Sequence, residues 1–276
     1  MDEQSWDARG DSFGRGAAVY EQTRPGYTVD TVRWILGDRP LAVLDLGAGT
    51  GQLTRQLIAC GHTTTAVEPD PVMLARLTTT TPQAIALNGS AEDIPVPDAS
   101  HDALLISHAY HWFEPEPAHR EFARVVKPGG VLAGLWNLRD EEIPWSAELS
   151  TILRDEDTGA DRETSAAIML HGTLAALRRA DGAGLSGWVA NPSFGSAFGP
   201  ITQGFFPNST RHTTQTLVDL VKSRSYYLTS PPERQAVLDS QVRKLATSHP
   251  DLVGHDEFDL HYVTVVFRAE RLPSVH

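Results

Sequence analysis

The chain has 276 residues, 41% apolar and 21% charged, with 23 Lys+Arg against 35 Asp+Glu and a formal net charge of −12. With no basic run, that balance gives no electrostatic footprint for a nucleic-acid backbone and argues against a nucleic-acid partner. No apolar stretch approaches the ~20 residues of a membrane span, and the single Cys60 cannot close an intrachain disulfide.

Residues 1–11 are polar and acidic and lack the charged-then-apolar order of a secretory leader. A soluble, cytoplasmic protein is therefore expected. Cys60, between an apolar helical pattern and Gly61, reads as core packing. The length allows one large α/β domain with an insertion, or one domain with a small lid.

The first informative stretch in chain order is Phe13-Gly-Arg-Gly-Ala-Ala-Val-Tyr-Glu-Gln-Thr-Arg-Pro-Gly-Tyr27. Tyr20 and Arg24 fall four apart, on one helical face, and an arginine there suits a carboxylate ligand. A surface Glu21–Arg24 pair followed by a Pro-Gly turn would account for the same residues.

Strand and helix signals alternate from Leu41. Strands are expected at 41–46, 63–67, 84–88, 102–106 and 131–136, and helices at 51–59, 71–78 and 117–126. Pro71 suits a first helical turn, and Lys127-Pro-Gly-Gly130 reads as a stop and turn. Alternating β and α elements imply a mostly parallel, doubly covered Rossmann-like sheet, with ligands outside the carboxyl ends of its strands.

The strand at 41–46 ends in glycines 47, 49 and 51, where a strand turns into a helix N-terminus and a ligand can come close to the backbone. The next strand ends in Glu68, an acid suited to ribose hydroxyls. The spacing is G-x-G-x-G rather than the G-x-G-x-x-G of dinucleotide folds, and Asp45 precedes the first glycine by two residues. A carboxylate there repels a pyrophosphate and attracts an ammonium or sulfonium group.

These residues resemble the class I S-adenosylmethionine (SAM)-dependent methyltransferases. Asp45-Leu-Gly-Ala-Gly-Thr-Gly51 looks like their first motif and Glu68-Pro-Asp70 like their second. The 13–27 stretch, a His-Trp-Phe loop and Glu121-Phe-Ala-Arg-Val-Val-Lys-Pro-Gly-Gly130 resemble the methyltransferase type 11 subgroup that includes trans-aconitate methyltransferase-like proteins.

The resemblance implies a SAM site formed by Asp45, Gly47, Ala48, Gly49, Gly51, Glu68 and Pro69. It implies that Ala91 and Glu92, and less directly Asp93, lie beside the adenine, although Ser90 or Asp93 could serve instead as a helix cap. It sets Tyr20 and Arg24 over the cofactor. Ser107-His-Ala-Tyr-His-Trp-Phe113 would pass the sulfonium end and the acceptor, with Ser107 on the cofactor side. Aromatic rings there can hold a cationic donor, although Trp112 and Phe113 also suit packing under the next helix. His108 and His111 are the candidates for a general base or for orienting the acceptor.

Beyond Asn137 the pattern weakens. Helices are expected from Pro144 and over 164–179, an irregular connection over 182–200, helices at 214–225 and 232–248, and a last strand at 258–267 with a partner near 201–206. These two strands would complete a seven-stranded sheet as an antiparallel hairpin. Trp188, Phe194 and Phe198 line either an acceptor pocket or a lid core. His249, His255 and His261 lack metal-ligand spacing, so no metal is expected.

The expected organisation is a SAM-binding core with a helical cover over 1–138, a helical insertion or lid over 139–200, and a return to the core over 201–276. The expected activity is methyl transfer from SAM to a small organic acceptor, with O-methylation of a carboxylate or hydroxyl favoured. A non-catalytic SAM-binding module is the alternative, followed by an NAD(P)-dependent oxidoreductase. The sequence carries no signal for oligomeric state.

Overall fold

The structure is a computed structural model that describes residues 24–154, 173–178, 192–228 and 230–273. The described residues fall into two compact units. One lies within Gly26–Asn137, Leu185–Phe206 and Thr264–His276, the other within Met1–Pro25, Leu138–Gly184 and Pro207–Val263.

The first unit opens with helix α1 (Val29–Leu36), which is additional to those expected from the sequence. Thr28 caps it, its hydroxyl accepting from the Thr31 amide, and Gly37 at φ 77° ends it. Val32, Ile35 and Leu36 form its buried face.

Strands β1 (Ala42–Leu46), β2 (Thr63–Val67), β3 (Ile85–Leu87) and β4 (His101–Ser107) then alternate with helices α2 (Gln52–Ala59) and α3 (Pro71–Thr80). A 3-10 turn (Tyr110–Trp112) and helix α4 (Pro115–Val125) follow. Apart from the 3-10 turn, which was not expected, each lies within a few residues of its expected place.

Strand β5 (Val126–Arg139) is much longer than the expected 131–136. Lys127-Pro-Gly-Gly130 does not stop the chain. Arg271 pairs with it, donating from its amide to the Gly130 carbonyl and accepting at its own carbonyl from the Gly129 amide. A Cβ on Gly130 would lie 2.6 Å from the Asp102 carbonyl oxygen, so this glycine permits close backbone approach as well as a change of direction.

With β6 (Thr202–His212) and β7 (Phe258–Glu270), the sheet has seven strands in the order β3-β2-β1-β4-β5-β7-β6. β1 runs parallel to both β2 and β4, β2 to β3, and β4 to β5. The chain leaves β1 toward β2 and β3, then returns with β4 on the other side of β1. That reversal opens a crevice beyond Leu46, Val67 and Ser107. The two late strands expected from the sequence are adjacent, with β6 running well past Phe206. The α/β methyltransferase-type sheet expected from the sequence is therefore present.

Strand alternation directs Val43 and Leu105 to one face, where they pack with Val32 and Ile35 of α1 and Leu53 and Leu57 of α2. Asp45 shares that parity with Val43, a position where a core strand ordinarily carries an apolar side chain.

The second unit contains α5 (Pro144–Arg154), α6 (Thr173–Arg178), α7 (Thr214–Lys222), α8 (Ser225–Leu228) and α9 (Pro232–Ser248). Its core gathers Trp145, Leu149, Leu217, Leu220, Val242, Leu245 and Tyr262. α7 starts in a capping box between Thr213 and Thr216. Apart from α6, the helix expected over 164–179 lies outside the described residues, as do Tyr20 and Trp188. No described helix is long and apolar enough to cross a membrane, and the described residues include no metal-ligand cluster.

Candidate functional site

The loop between β1 and α2 is shaped by three left-handed glycines: Gly47 at φ 68°, Gly49 at φ 57° and Gly51 at φ 86°. L-residues seldom adopt that region. Gly47 is further constrained, because a Cβ there would sit 2.5 Å from that of Ala109. A Cβ on Gly49 would meet nothing within 4 Å, so its outer side is open space. The amides of Gly47 and Ala48 both donate to the Val67 carbonyl, at 2.9 and 3.1 Å, which ties the loop to the end of β2.

Asp45 and Glu68 face this loop from the ends of β1 and β2. Asp45 is fully buried; its Oδ2 accepts from the Thr54 hydroxyl at 2.6 Å, and its Oδ1 has no hydrogen-bond partner among the described residues. Burial pushes its carboxyl up to about 7, against the Thr54 hydroxyl and with a smaller push from Glu68.

Glu68 is 7% exposed. Its Oε2 accepts from the Gly49 amide at 2.8 Å and its Oε1 from the Asp70 amide at 3.0 Å, leaving further lone pairs on each oxygen. Burial raises this carboxyl as well, against those two amides. Two buried acids thus lie near the N-terminal end of α2, at the ends of β1 and β2. Pro69 is exposed at the rim, its carbonyl accepting from the Asn88 amide nitrogen at 3.0 Å.

The segment after β3 forms the next wall. Ala91 is buried, Glu92 half-buried and Asp93 exposed. The Ser90 hydroxyl accepts from the Glu92 amide at 3.3 Å, while Glu92 Oε1 accepts from the Glu114 amide at 2.9 Å. Glu92 thus joins the 88–96 segment to the one that follows β4.

α4 locks the same segment from below. Arg124 donates to the carbonyls of Ile94 and Val96, both at 2.7 Å, and to Asp98 at 2.9 Å, and forks onto Glu121 at 2.7 and 2.6 Å. Glu121 in turn accepts from the Ile94 amide at 2.9 Å. The 121–130 stretch stood out in the sequence by resemblance alone. Its physical content is this clamp, which spacing could not reveal because the partners lie about thirty residues away.

Ser107 ends β4, half-buried and paired with Leu135. His108 has φ 54°, unusual for a side chain of its size. Its Nε2 accepts from the Asn137 amide at 2.9 Å, which in the neutral ring puts the proton on Nδ1. Asn137 also donates to the Gly26 carbonyl at 3.1 Å and accepts from the Thr264 hydroxyl at 2.6 Å.

His111, in the 3-10 turn, is half-buried as a residue, but its Nδ1 is shut off from solvent and has no partner among the described residues. Burial lowers its pKa to about 4, so the ring is neutral at physiological pH.

Around these histidines lies an aromatic cluster. The Tyr110 ring contacts Phe113, His119 and Phe194, and its hydroxyl meets His119 Nε2 at 2.7 Å. Phe113 packs on Phe122, and Phe194 on Phe198. Phe113 therefore packs against α4, whereas Trp112 is 37% exposed. Tyr110, His119 and Asn137 were not singled out in the sequence; no local pattern marks a contact made across elements.

The structure thus gathers Asp45, Gly47, Ala48, Gly49, Gly51, Glu68, Pro69, Ala91, Glu92, Ser107, His108 and His111 at the carboxyl ends of β1–β4. Arg24 belongs to the other unit, and Tyr20 lies outside the described residues.

Comparison with known proteins agrees with this architecture. The family described as "Methyltransferase domain" matches residues 44–134. An uncharacterised methyltransferase of Mycobacterium tuberculosis is 39% identical over 259 residues, spanning 94% of this chain and 95% of the relative. A malonyl-[acyl-carrier protein] O-methyltransferase of Methylococcus capsulatus is 33% identical over 153 residues, 50% of this chain and 56% of that one. Among solved structures, a protein from Anaeromyxobacter dehalogenans described as a candidate type II methyltransferase superposes with a TM-score of 0.58 at 20% identity, over 91% of this chain and 99% of that one, and supports the fold alone. On the near-full-length relative, the matched domain and the sheet that carries it, the chain belongs to the class I SAM-dependent methyltransferases.

Proposed function

We propose that this protein transfers the methyl group of SAM to an oxygen of a small organic acceptor, a carboxylate before a hydroxyl. The residues present fit the donor. Asp45 has one capped carboxylate oxygen and one buried oxygen without a partner among the described residues, and that Oδ1 suits an ammonium. Glu68 retains lone pairs for ribose hydroxyls. Gly49 leaves open space where a ligand can lie on the loop, and Gly47, Ala48 and Gly51 shape the turn that carries it. Pro69, Ala91 and Glu92 border the base, and Ser107 flanks the reacting end. Tyr20 and Arg24 are further candidates for the donor, and residues 139–200 for selecting the acceptor.

Bound SAM supplies an electrophilic methyl on a sulfonium. What remains for the protein is to align the acceptor and exclude water.

The state of the two histidines carries the preference for a carboxylate. His108 uses Nε2 to receive a backbone amide, and burial leaves His111 only weakly basic. Neither is built as a strong proton acceptor, which an alcohol or amine acceptor would call for. A carboxylate already holds its nucleophilic lone pair and loses no proton. In this reading His111 is a neutral hydrogen-bonding group that orients the acceptor, and His108 positions the loop. The partial relative named as an O-methyltransferase of a malonyl-carrier adds support for oxygen as the acceptor atom.

The test is incubation with SAM and matched panels of small carboxylic acids, acyl thioesters bearing a free carboxylate, phenols and amines, reading S-adenosylhomocysteine and product together. The proposal expects turnover with carboxylates and a base-labile methyl ester. Turnover confined to phenols or amines would overturn it.

A further inference from the structure

Thr54, which no local sequence pattern marks, contacts one of the proposed donor-site acids. It lies in the first turn of α2, fully buried, and its hydroxyl donates to Asp45 Oδ2 at 2.6 Å. Asp45 is also fully buried, and its other oxygen meets no donor among the described residues. One oxygen is thereby fixed toward α2, and the other is buried with no partner among the described residues.

We propose that Thr54 is a positioning residue that favours the ionised form of the Asp45 carboxylate and leaves its Oδ1 for the donor's ammonium, so that donor binding rises with the deprotonation of Asp45.

The physical reasoning is a balance of three effects. Removing a carboxylate from water favours its neutral form. The hydroxyl and amide of Thr54 favour the charged form, and the charge of Glu68 at the end of β2 opposes it; on balance the carboxyl stands at about 7. Few other titratable groups lie on the packed elements. β2 itself, Thr-Thr-Thr-Ala-Val, has none. On α2 there is Arg55, whose guanidinium donates to the Thr50 carbonyl and to the hydroxyls of Thr80 and Thr81. On β4, His101 and Asp102 sit at the opposite end, Asp102 accepting from the amide of Ala42. Beyond β4 is His108, pinned by the Asn137 amide.

The sign follows directly. Below its pKa, Asp45 is neutral and the ammonium loses its counter-charge; above it, the pair forms. Loss of the Thr54 hydroxyl raises that midpoint, so binding at neutral pH weakens. An unpaired buried acid on a core strand is costly in the free protein, and the Thr54 hydroxyl limits that cost while leaving one oxygen for the ligand.

This inference rests on the proposed role of Asp45 in donor binding, and the experiment separates the two. The Asp45 side-chain carboxyl is followed by 13C NMR from pH 5.5 to 9 in the free full-length protein, wild type against Thr54→Val and Thr54→Ser. Binding of S-adenosylhomocysteine and of 5′-methylthioadenosine, which lacks the amino-acid end, is measured calorimetrically at pH 7, with Asp45→Asn alongside.

The expected result is a midpoint raised by about one pH unit in the valine variant and left within a few tenths in the serine variant. S-adenosylhomocysteine should bind about fivefold more weakly to the valine variant, the change in ionised fraction at pH 7 for that shift, while methylthioadenosine is unaffected. Thr54→Ala carries the same expectation if the valine variant does not fold.

An unmoved midpoint, or equal losses for both ligands, would overturn the role of Thr54 while Asp45→Asn still weakens S-adenosylhomocysteine. Unchanged S-adenosylhomocysteine affinity in Asp45→Asn would instead overturn the ammonium role of Asp45 itself.

Discussion

Replacing Arg124 with alanine tests whether the donor site is held by a scaffold outside it. The guanidinium makes contacts of 2.6–2.9 Å to Glu121, Asp98 and the carbonyls of Ile94 and Val96. The Glu121 and Arg124 side chains are 16% and 29% exposed, whereas Asp98 is 79% exposed. The Asp98 contact is therefore screened and contributes little.

The loss comes from the Glu121 fork and the two carbonyls. A hydrogen bond to a charged group is worth ~1.5–3 kcal/mol, but these share one side chain and partly exposed partners are compensated by water. A total of about 2–3 kcal/mol is expected, read as a lowered urea midpoint at pH 7.5 with an unchanged slope. Because the clamp holds the 91–96 wall, SAM affinity should fall several-fold as well.

The pH dependence gives a second check. Arg124 holds the Glu121 carboxyl below its usual range, so the stability it confers is present above the ordinary glutamate pKa of ~4.3 and lost as pH falls through the lowered folded value. The gap between wild type and Arg124→Ala should therefore narrow on acidification. A destabilisation under about 0.5 kcal/mol at pH 7.5, in the range of an ordinary surface substitution, would refute the reasoning, as would a gap that widens in acid.

Other outcomes follow from the same geometry. Glu68→Ala should weaken SAM by roughly 1.5–3 kcal/mol, the scale of charge-assisted hydrogen bonds; unchanged calorimetric affinity would remove its ribose role. Gly47→Ala should destabilise by about 2 kcal/mol or more, since a left-handed residue with a side chain costs ~1–3 kcal/mol before its contact with Ala109 at 2.5 Å is relieved; a thermal midpoint equal to wild type would contradict this. His111→Ala should lower kcat more than SAM affinity. Because burial holds the imidazole at about 4, wild-type turnover should show no limb near pH 6.5 that this substitution removes; such a limb would restore His111 as a base titrating in its ordinary range.

The glycine loop, both acids and the first five strands were legible in the sequence because each rests on local signals: apolar runs, left-handed glycines, and acids at strand ends. Helix α1 was not, since its cap Thr28 follows a Pro-Gly-Tyr stretch that reads as a turn and its buried face joins only three apolar residues, Val32, Ile35 and Leu36, to the polar Thr31. The start of β5 was misplaced because Pro-Gly-Gly signals a turn locally, while pairing with Arg271, well over a hundred residues on, extends the strand through it.

In the site, the residues that hold others in place stayed hidden: Thr54 behind Asp45, Asn137 behind His108, and Arg124 behind the 91–96 wall. Each is an ordinary helix or strand residue by composition, and its role lies in a contact across elements that no spacing rule encodes. The histidines were legible as a pair, with base and orienting roles both open, but the His108–Asn137 contact and the burial of His111 were not.

The most direct test of the central claim is calorimetric titration of the purified protein with SAM, S-adenosylhomocysteine and NADH in parallel. The account predicts saturable, one-to-one binding of the two adenosyl ligands and none of NADH, because Asp45 and Glu68 favour a cation over a pyrophosphate. Binding of NADH with no affinity for either adenosyl ligand would contradict it and return the glycine loop to a dinucleotide role.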